Sequence, residues 1–439
     1  MTQFNRVWKA ERMPLPRALR PFTVPAYRWL VASMTLSVFA AGMWVVTLAY
    51  EVIDLGGGPS ALSFVASISA VVLVALALPG GILADRTDRK RILVTVEALN
   101  AVAMAVTSAA ALLGVLQLWH LAVSAALLSV SVAFYFPAYS AILPRLLPPG
   151  HLLAANGIEG MVRPAFLNAL GPAAAGALIG AFSPHAGVFA CLLLFGAATA
   201  TALGLPAGAG AVARDAAAEP TTALQDFVEG ARFARDTPWF GWTLVWACCV
   251  VLVFIGPIEV LLPFLVREQL GGGASMFALM LASMGAGSVL GSWLTASRPL
   301  PRRYLTTMLG LWGVIGLIPM ALLPVAGSPW TMGAVMAILG ASGSAGQVIW
   351  GTLLQRRVPP ELLGRASSLD FFVSLALMPL SMAIAGPLGE RFGLTPLFVA
   401  PAVVGPILSL AVWTKARLWE DEVAHPLTDH EDLEPVPVD

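Results

Sequence analysis

The chain has 439 residues, of which 58% are hydrophobic and 11% charged, with a net charge of zero and a mean hydropathy of +0.81. Soluble domains carry roughly 25% charged residues, so the bilayer has to be the solvent for this much apolar sequence. The three cysteines, Cys191, Cys248 and Cys249, lie in apolar runs without metal or redox spacing, and the five histidines do not cluster. No metal, cofactor or enzymatic activity is expected: the glycine-rich strings lack the Lys-Ser/Thr that completes a phosphate-binding loop. Zero net charge argues neither for nor against nucleic acid, and none is expected as a partner.

Residues 1–26 form a basic, proline-rich lead (Arg6, Lys9, Arg12, Arg17, Arg20) without the small-residue cleavage pattern of a signal peptide. Apolar runs of spanning length follow. They are placed at 27–50, 59–84, 92–114, 119–143, 152–181 and 186–205, and then at 238–266, 272–297, 304–326, 329–354, 363–389 and 394–418. The prediction is an all-α membrane protein of twelve transmembrane helices, with one half at 27–205 and the other at 238–418.

The break at 206–237 opens as a Pro/Gly/Ala linker. Thr222 and Gln225 then have capping-box spacing, and Leu224, Phe227, Val228 and Ala231 share a helical face. A short helix on the membrane surface is expected. The tail 419–439 is acidic, holds no Lys or Arg, and is expected to be disordered.

Basic residues orient the chain. With both termini inside, only Arg267 and Arg391 fall on the outside and Arg163 within a span. The expected location is the plasma membrane, with both termini cytoplasmic.

Asp85 to Arg91 carries six charges in seven residues, directly after Gly80-Gly81. The glycines permit a close helix approach where the span leaves the lipid, and Asp85 can face the positive N-terminal end of a neighbouring helix. This run resembles the loop between helices 2 and 3 of major facilitator transporters, in the version with a second acid at Asp88. The resemblance implies a gate built from Gly80, Gly81, Asp85, Arg86, Asp88, Arg89 and Arg91, with Asp85 facing the start of helix 11 near Leu363. The alternative is a loop whose charges only orient the chain.

The halves repeat. Gly80 and Gly291, Arg91 and Arg302, Arg145 and Arg356, and Glu159 and Asp370 are pairs at one offset, 211. Two parallel six-helix halves are what the family resemblance implies. Asp85 corresponds to Ala296 and Asp88 to Pro299, so a switch on Asp85 exists on one side only. Further on, Phe136-Pro137-Ala138, Leu143-Pro144-Arg145-Leu146-Leu147-Pro148 and Leu170-Gly171-Pro172 look like the drug-efflux branch that includes macrolide and enterobactin exporters. Gly171, Pro172 and Gly176 resemble the antiporter motif of helix 5, although the adjacent glycines of the full pattern are not there. Close helix packing by small residues is the alternative role.

Charges inside spans cost about 2.5–3.5 kcal/mol each on insertion scales, so each needs a partner or a function. Glu159 and Arg163 have the spacing of a structural ion pair. Glu97 is placed within reach of the basic loop. Glu259 and Asp370 have no base three or four residues away, which makes Glu259 the first and Asp370 the second candidate for proton coupling. Hydration of Glu259 near the outer surface is the alternative.

Helices 1, 4, 7 and 10 line the cavity in the resembled family, which nominates Trp44, Tyr135, Glu259 and Gln347. Trp246 and Trp350 are also deep. The expected function is proton-coupled export of amphipathic or hydrophobic small molecules by a monomer, with the lipid bilayer, the small-molecule substrate and protons as its partners. Import or uniport of a small metabolite, and a non-transporting sensor on the same fold, stay open.

Overall fold

In a computed structural model, the described residues are 17–206, 208, 223–359 and 362–427, and within them the side chains of 17–18, 77–86, 149, 153 and 223–227 lie outside the description. Every regular element among the described residues is helical, and twelve helices are long and apolar enough to cross a membrane. In the first half these are α1 (Pro25–Asp54), α2 (Pro59–Arg86), α3 (Arg89–Leu112), α4 (Leu118–Leu146), α5 (Gly150–Ala181) and α6 (Pro184–Leu203). In the second they are α7 (Pro238–Leu270), α8 (Ala274–Ala296), α9 (Tyr304–Val325), α10 (Pro329–Arg357), α11 (Leu363–Phe392) and α12 (Thr395–Lys415). Helices solve the backbone problem in hydrocarbon because each satisfies its own polar groups.

Three spans are interrupted by π-helical turns, each beside proline or glycine. The turn Phe166–Leu170 precedes Pro172 in α5, Pro257–Leu261 starts on a proline in α7, and Leu311–Gly316 ends on glycine in α9. A proline removes the donor for the preceding turn, and a π turn absorbs the mismatch while rotating side chains about the axis.

The halves meet along α2 with α11 and α5 with α8. Named contacts between them sit at the end opposite the two termini. Glu390 of α11 accepts hydrogen bonds from the Ser60 backbone N–H at 2.9 Å and its hydroxyl at 2.6 Å, at the first turn of α2. The Gly386 N–H donates to Ser63 Oγ at 2.7 Å, and Ser275 of α8 donates to the Gly176 carbonyl at 2.8 Å. Gly176 is required there: a Cβ would lie 2.4 Å from the Ala278 methyl group. Gly171 packs equally closely on Gly42 of α1. The helix 5 small residues therefore join α5 to α1 and to the other half.

One expectation is corrected at the other end. The tail is helical over Leu418–Ala424. Glu422 is buried and accepts from the backbone N–H groups of Leu305 and Thr306, at 3.0 and 3.1 Å. Arg357 pairs with Asp421. Acids that cap the start of α9 and meet an arginine hold this stretch to the bundle, where composition alone suggested none of it would order. Residues 428–439 lie outside the described residues.

The helix between the halves, Ala223–Asp236, docks on the second half. Arg365 of α11 pairs with Glu229, Gly230 abuts the Arg365 backbone, and Phe233 meets Phe240 at 5.4 Å. Val228 is exposed; Thr222 and the side chains of Leu224, Gln225 and Phe227 lie outside the described residues.

Candidate substrate chamber

The second half holds a cavity of about 410 Å³ between α7, α9, α10 and α11. Its walls are aromatic. Trp246 of α7 and Trp312 of α9 stack at 5.4 Å with rings 10° apart, and Trp350 of α10 stacks on Phe240 at 5.8 Å. Trp312 lies 6.4 Å from Trp350, and Phe254 and Phe371 add further ring surface.

Each indole is fixed by its N–H: Trp246 donates to Ser409 Oγ at 2.9 Å, Trp312 to the Gly343 carbonyl at 2.9 Å, and Trp350 to Asp370 Oδ2 at 2.9 Å. Buried indoles need such a partner, and their orientation follows from it. Trp312 reaches its position because α9 turns through Leu311–Gly316 and because Gly346 leaves room. A Cβ on Gly346 would lie 2.3 Å from the indole nitrogen.

Among the described residues, Asp370 is the single acid of this chamber, and no Lys or Arg lines it. Its carboxylate takes hydrogen bonds from Trp350 and from the Ser374 hydroxyl at 3.0 Å. Both donors are neutral. A carboxylate withdrawn from water with only neutral donors is left to be balanced by a proton or by a cation. Gln347, exposed to the same chamber, supplies an amide that both donates and accepts.

Glu259 occupies a second, smaller cavity of about 150 Å³ between the halves, together with Trp44, Ser69 and Met382. It stands on the Pro257–Leu261 turn of α7, and its buried neighbours Ile258, Val260 and Leu261 leave the carboxylate side turned to that cavity. It makes no hydrogen bond or ion pair among the described residues. The four nominated cavity residues therefore do not converge. Trp44 and Glu259 share one cavity, Gln347 lines the other, and Tyr135 is buried between Phe136 and Tyr139 at 5.7 and 6.2 Å. Tyr135 was nominated by its helix number, whereas its face of α4 turns into the first half.

Glu159 and Arg163 lie 3.2 Å apart, with the guanidinium 3.4 Å above the Phe136 ring. Glu97 is corrected: it is fully buried and, among the described residues, pairs with no basic residue of the loop. In the loop itself, Asp88 caps α3, accepting from the Arg91 N–H at 3.2 Å. Arg89 is buried and Arg91 exposed. Lys90, which sequence reasoning passed over, donates to the Leu203 and Leu205 carbonyls at the end of α6. The side chains of Gly80, Gly81, Asp85 and Arg86 lie outside the described residues. Trp312 and Glu422 were also missed. The first had only its depth in a span as a signal, and the second had none beyond being an acid in an acidic tail.

The family model described as Major Facilitator Superfamily matches residues 30–378. Among curated relatives, an uncharacterized MFS-type transporter, YfiS of Bacillus subtilis (strain 168), is 28% identical over 385 residues, covering 84% of this chain and 88% of YfiS. Macrolide efflux protein A of Streptococcus pyogenes is 22% identical over 389 residues, covering 86% and 94%. The multidrug efflux pump Tap of Mycolicibacterium fortuitum is 27% identical over 405 residues, covering 87% and 94%. A crystal structure of the nucleoside transporter NupG aligns with a TM-score of 0.68 at 12% identity, covering 89% of this chain and 98% of that one. Twelve spanning helices in two halves, matched by this family model across most of their length, make the chain a multi-pass membrane transporter that belongs to the Major Facilitator Superfamily.

Proposed function

We propose that the chain exports amphipathic or hydrophobic small molecules, with protons moving in the opposite direction. The observation that carries this reading is the aromatic chamber with one acid, Asp370, one amide, Gln347, and no basic side chain among the described residues. Flat apolar rings accept many shapes, and a single carboxylate favours a positively charged group on an apolar body. The resemblance to macrolide and multidrug efflux proteins supports export over uptake.

Glu259 is the proposed proton carrier. It sits between the halves, in a cavity whose walls belong to both, so rocking changes its surroundings. Asp370 is the proposed substrate anchor and the second candidate for protonation. Asp85 is the proposed gate residue at the inner end, facing α11 when the inner side closes. The proposed setting is the plasma membrane, with both termini cytoplasmic and a monomer as the working unit. The end joined by Glu390, Ser60, Ser275 and Gly176 is then the outer one.

Counterflow in proteoliposomes tests the reading, with labelled tetraphenylphosphonium as the cationic probe and a labelled nucleoside as the polar comparison. Export of lipophilic cations predicts exchange of the first and little of the second. Exchange of the nucleoside alone would support uptake of a small metabolite, and binding without exchange would support a sensor.

A further inference from the structure

A second large cavity, about 630 Å³, opens on the outer face of the second half between α8, α9 and α10. Its body is apolar, walled by Leu294, Leu311, Ile315, Ile338 and Val348, and Ile315 and Ile338 are exposed to the surroundings of the helix bundle. Its mouth is not. Arg298 and Arg356 line it there with the hydroxyls of Thr295 and Thr352, and no acid among the described residues does. Arg298 is exposed and forms no ion pair among the described residues.

Two placements fix the depth of this groove. The mouth lies where α8 and α10 end and α9 begins, at the end of the bundle that carries the termini. Trp293, on the last turns of α8, is exposed just before Arg298. An exposed indole at a span end marks the lipid headgroup level, so the arginines stand at that level and the apolar body stands in hydrocarbon.

We propose that this groove is a binding site for one anionic phospholipid of the leaflet on the side of the termini. The headgroup phosphate meets Arg298 and Arg356, with Thr295 and Thr352 as hydroxyl donors, and one acyl chain lies along Leu311, Ile315, Ile338 and Val348. The chemistry is that of basic pockets between spanning helices, in which an arginine fork matches a phosphate and a desolvated groove matches the chain. The groove shares Ser342 with the substrate chamber, and the Leu311–Gly316 turn of α9 separates the two. A lipid seated there packs against the back of the wall that holds Trp312. The site stands whether or not the proposed substrate class is correct, because none of its lining residues except Ser342 touches the chamber.

Native mass spectrometry of the full-length protein, delipidated and then exposed to phosphatidylglycerol or phosphatidylcholine of identical acyl chains, tests the proposal. The native chain retains the anionic lipid about thirtyfold more than the zwitterionic one, the effect expected of two basic residues at the membrane surface at about fivefold each. Arg298→Gln lowers that preference to about fivefold, and Val348→Trp, which fills the groove from an external helix face, lowers retention of the anionic lipid itself. Inorganic phosphate in excess does not displace the lipid. Equal retention of the two lipids by the native chain would overturn the proposal. So would undiminished retention in Val348→Trp, or complete displacement by phosphate, which would reduce the site to a headgroup contact.

Discussion

At the scale of single residues, two acids with similar sequence settings part company. Asp370 and Glu259 both lack a base three or four residues away on their own helix, and the sequence ranked Glu259 first. The structure places Asp370 among Trp350, Ser374 and Gln347 in the aromatic chamber, and Glu259 alone in an inter-half cavity. Asp370→Asn is expected to weaken transport of a lipophilic cation about tenfold, the equivalent of ~1.4 kcal/mol, while an uncharged analogue of the same shape is unaffected. Concentration dependence of efflux for the two analogues checks this, and equal losses would make Asp370 structural. Trp350→Phe keeps the ring beside Phe240 but removes the indole donor to Asp370. A smaller loss is expected, because a single hydrogen bond contributes about 0.5–1.5 kcal/mol. The acids themselves were legible in the sequence, since charge within a span stands out. Their partners were not. Trp350 and Asp370 are twenty residues apart on different helices, and only the crossing of α10 and α11 brings them together.

At the scale of the helices, span number, order and approximate ends could be read from hydropathy, because the bilayer sets a minimum apolar length. The interruptions could not. Pro172, Pro257 and Gly316 stand beside the interruptions, but nothing in their spacing says that three turns widen to π geometry and thereby aim Glu259 and Trp312. Small residues were legible as packing residues without their partners. The α8–α10 crossing is set by Gly287, Gly291 and Gly340, where a Cβ would lie 2.0, 2.1 and 1.9 Å from a facing backbone carbonyl. Gly351, on the same α10, faces open space. Gly340→Ala is therefore expected to lower the melting temperature of the purified protein by several degrees, as overpacking of about 1–3 kcal/mol does. Gly351→Ala leaves it unchanged or raises it slightly. Equal effects of the two substitutions would remove the close crossing as the cause. The tail shows the converse limit: composition read 419–439 as disordered, and the specific acceptance of the Leu305 and Thr306 N–H groups by Glu422 was beyond any pattern.

At the scale of the whole molecule, the two halves are held at one end by α2 with α11 and α5 with α8. Glu390 crosses the boundary to the first turn of α2, where an acid is favoured by the helix dipole and by the Ser60 donors. Glu390→Gln is expected to weaken this closure and shift the population toward the outward-open state. Asp85→Asn at the opposite end is expected to shift it toward the inward-open one. Cysteine accessibility on each face of the membrane reads both, and shifts in the same direction would contradict the rocking account.

The central claim is that substrate export is driven by protons through Glu259. The most direct measurement is substrate transport with simultaneous internal pH in proteoliposomes, comparing the native chain with Glu259→Gln. The account predicts that the variant loses accumulation driven by a pH gradient and its substrate-linked proton flux, yet retains substrate exchange at equal pH. A Glu259→Gln protein that still concentrates substrate against its gradient, with normal proton movement, would contradict it.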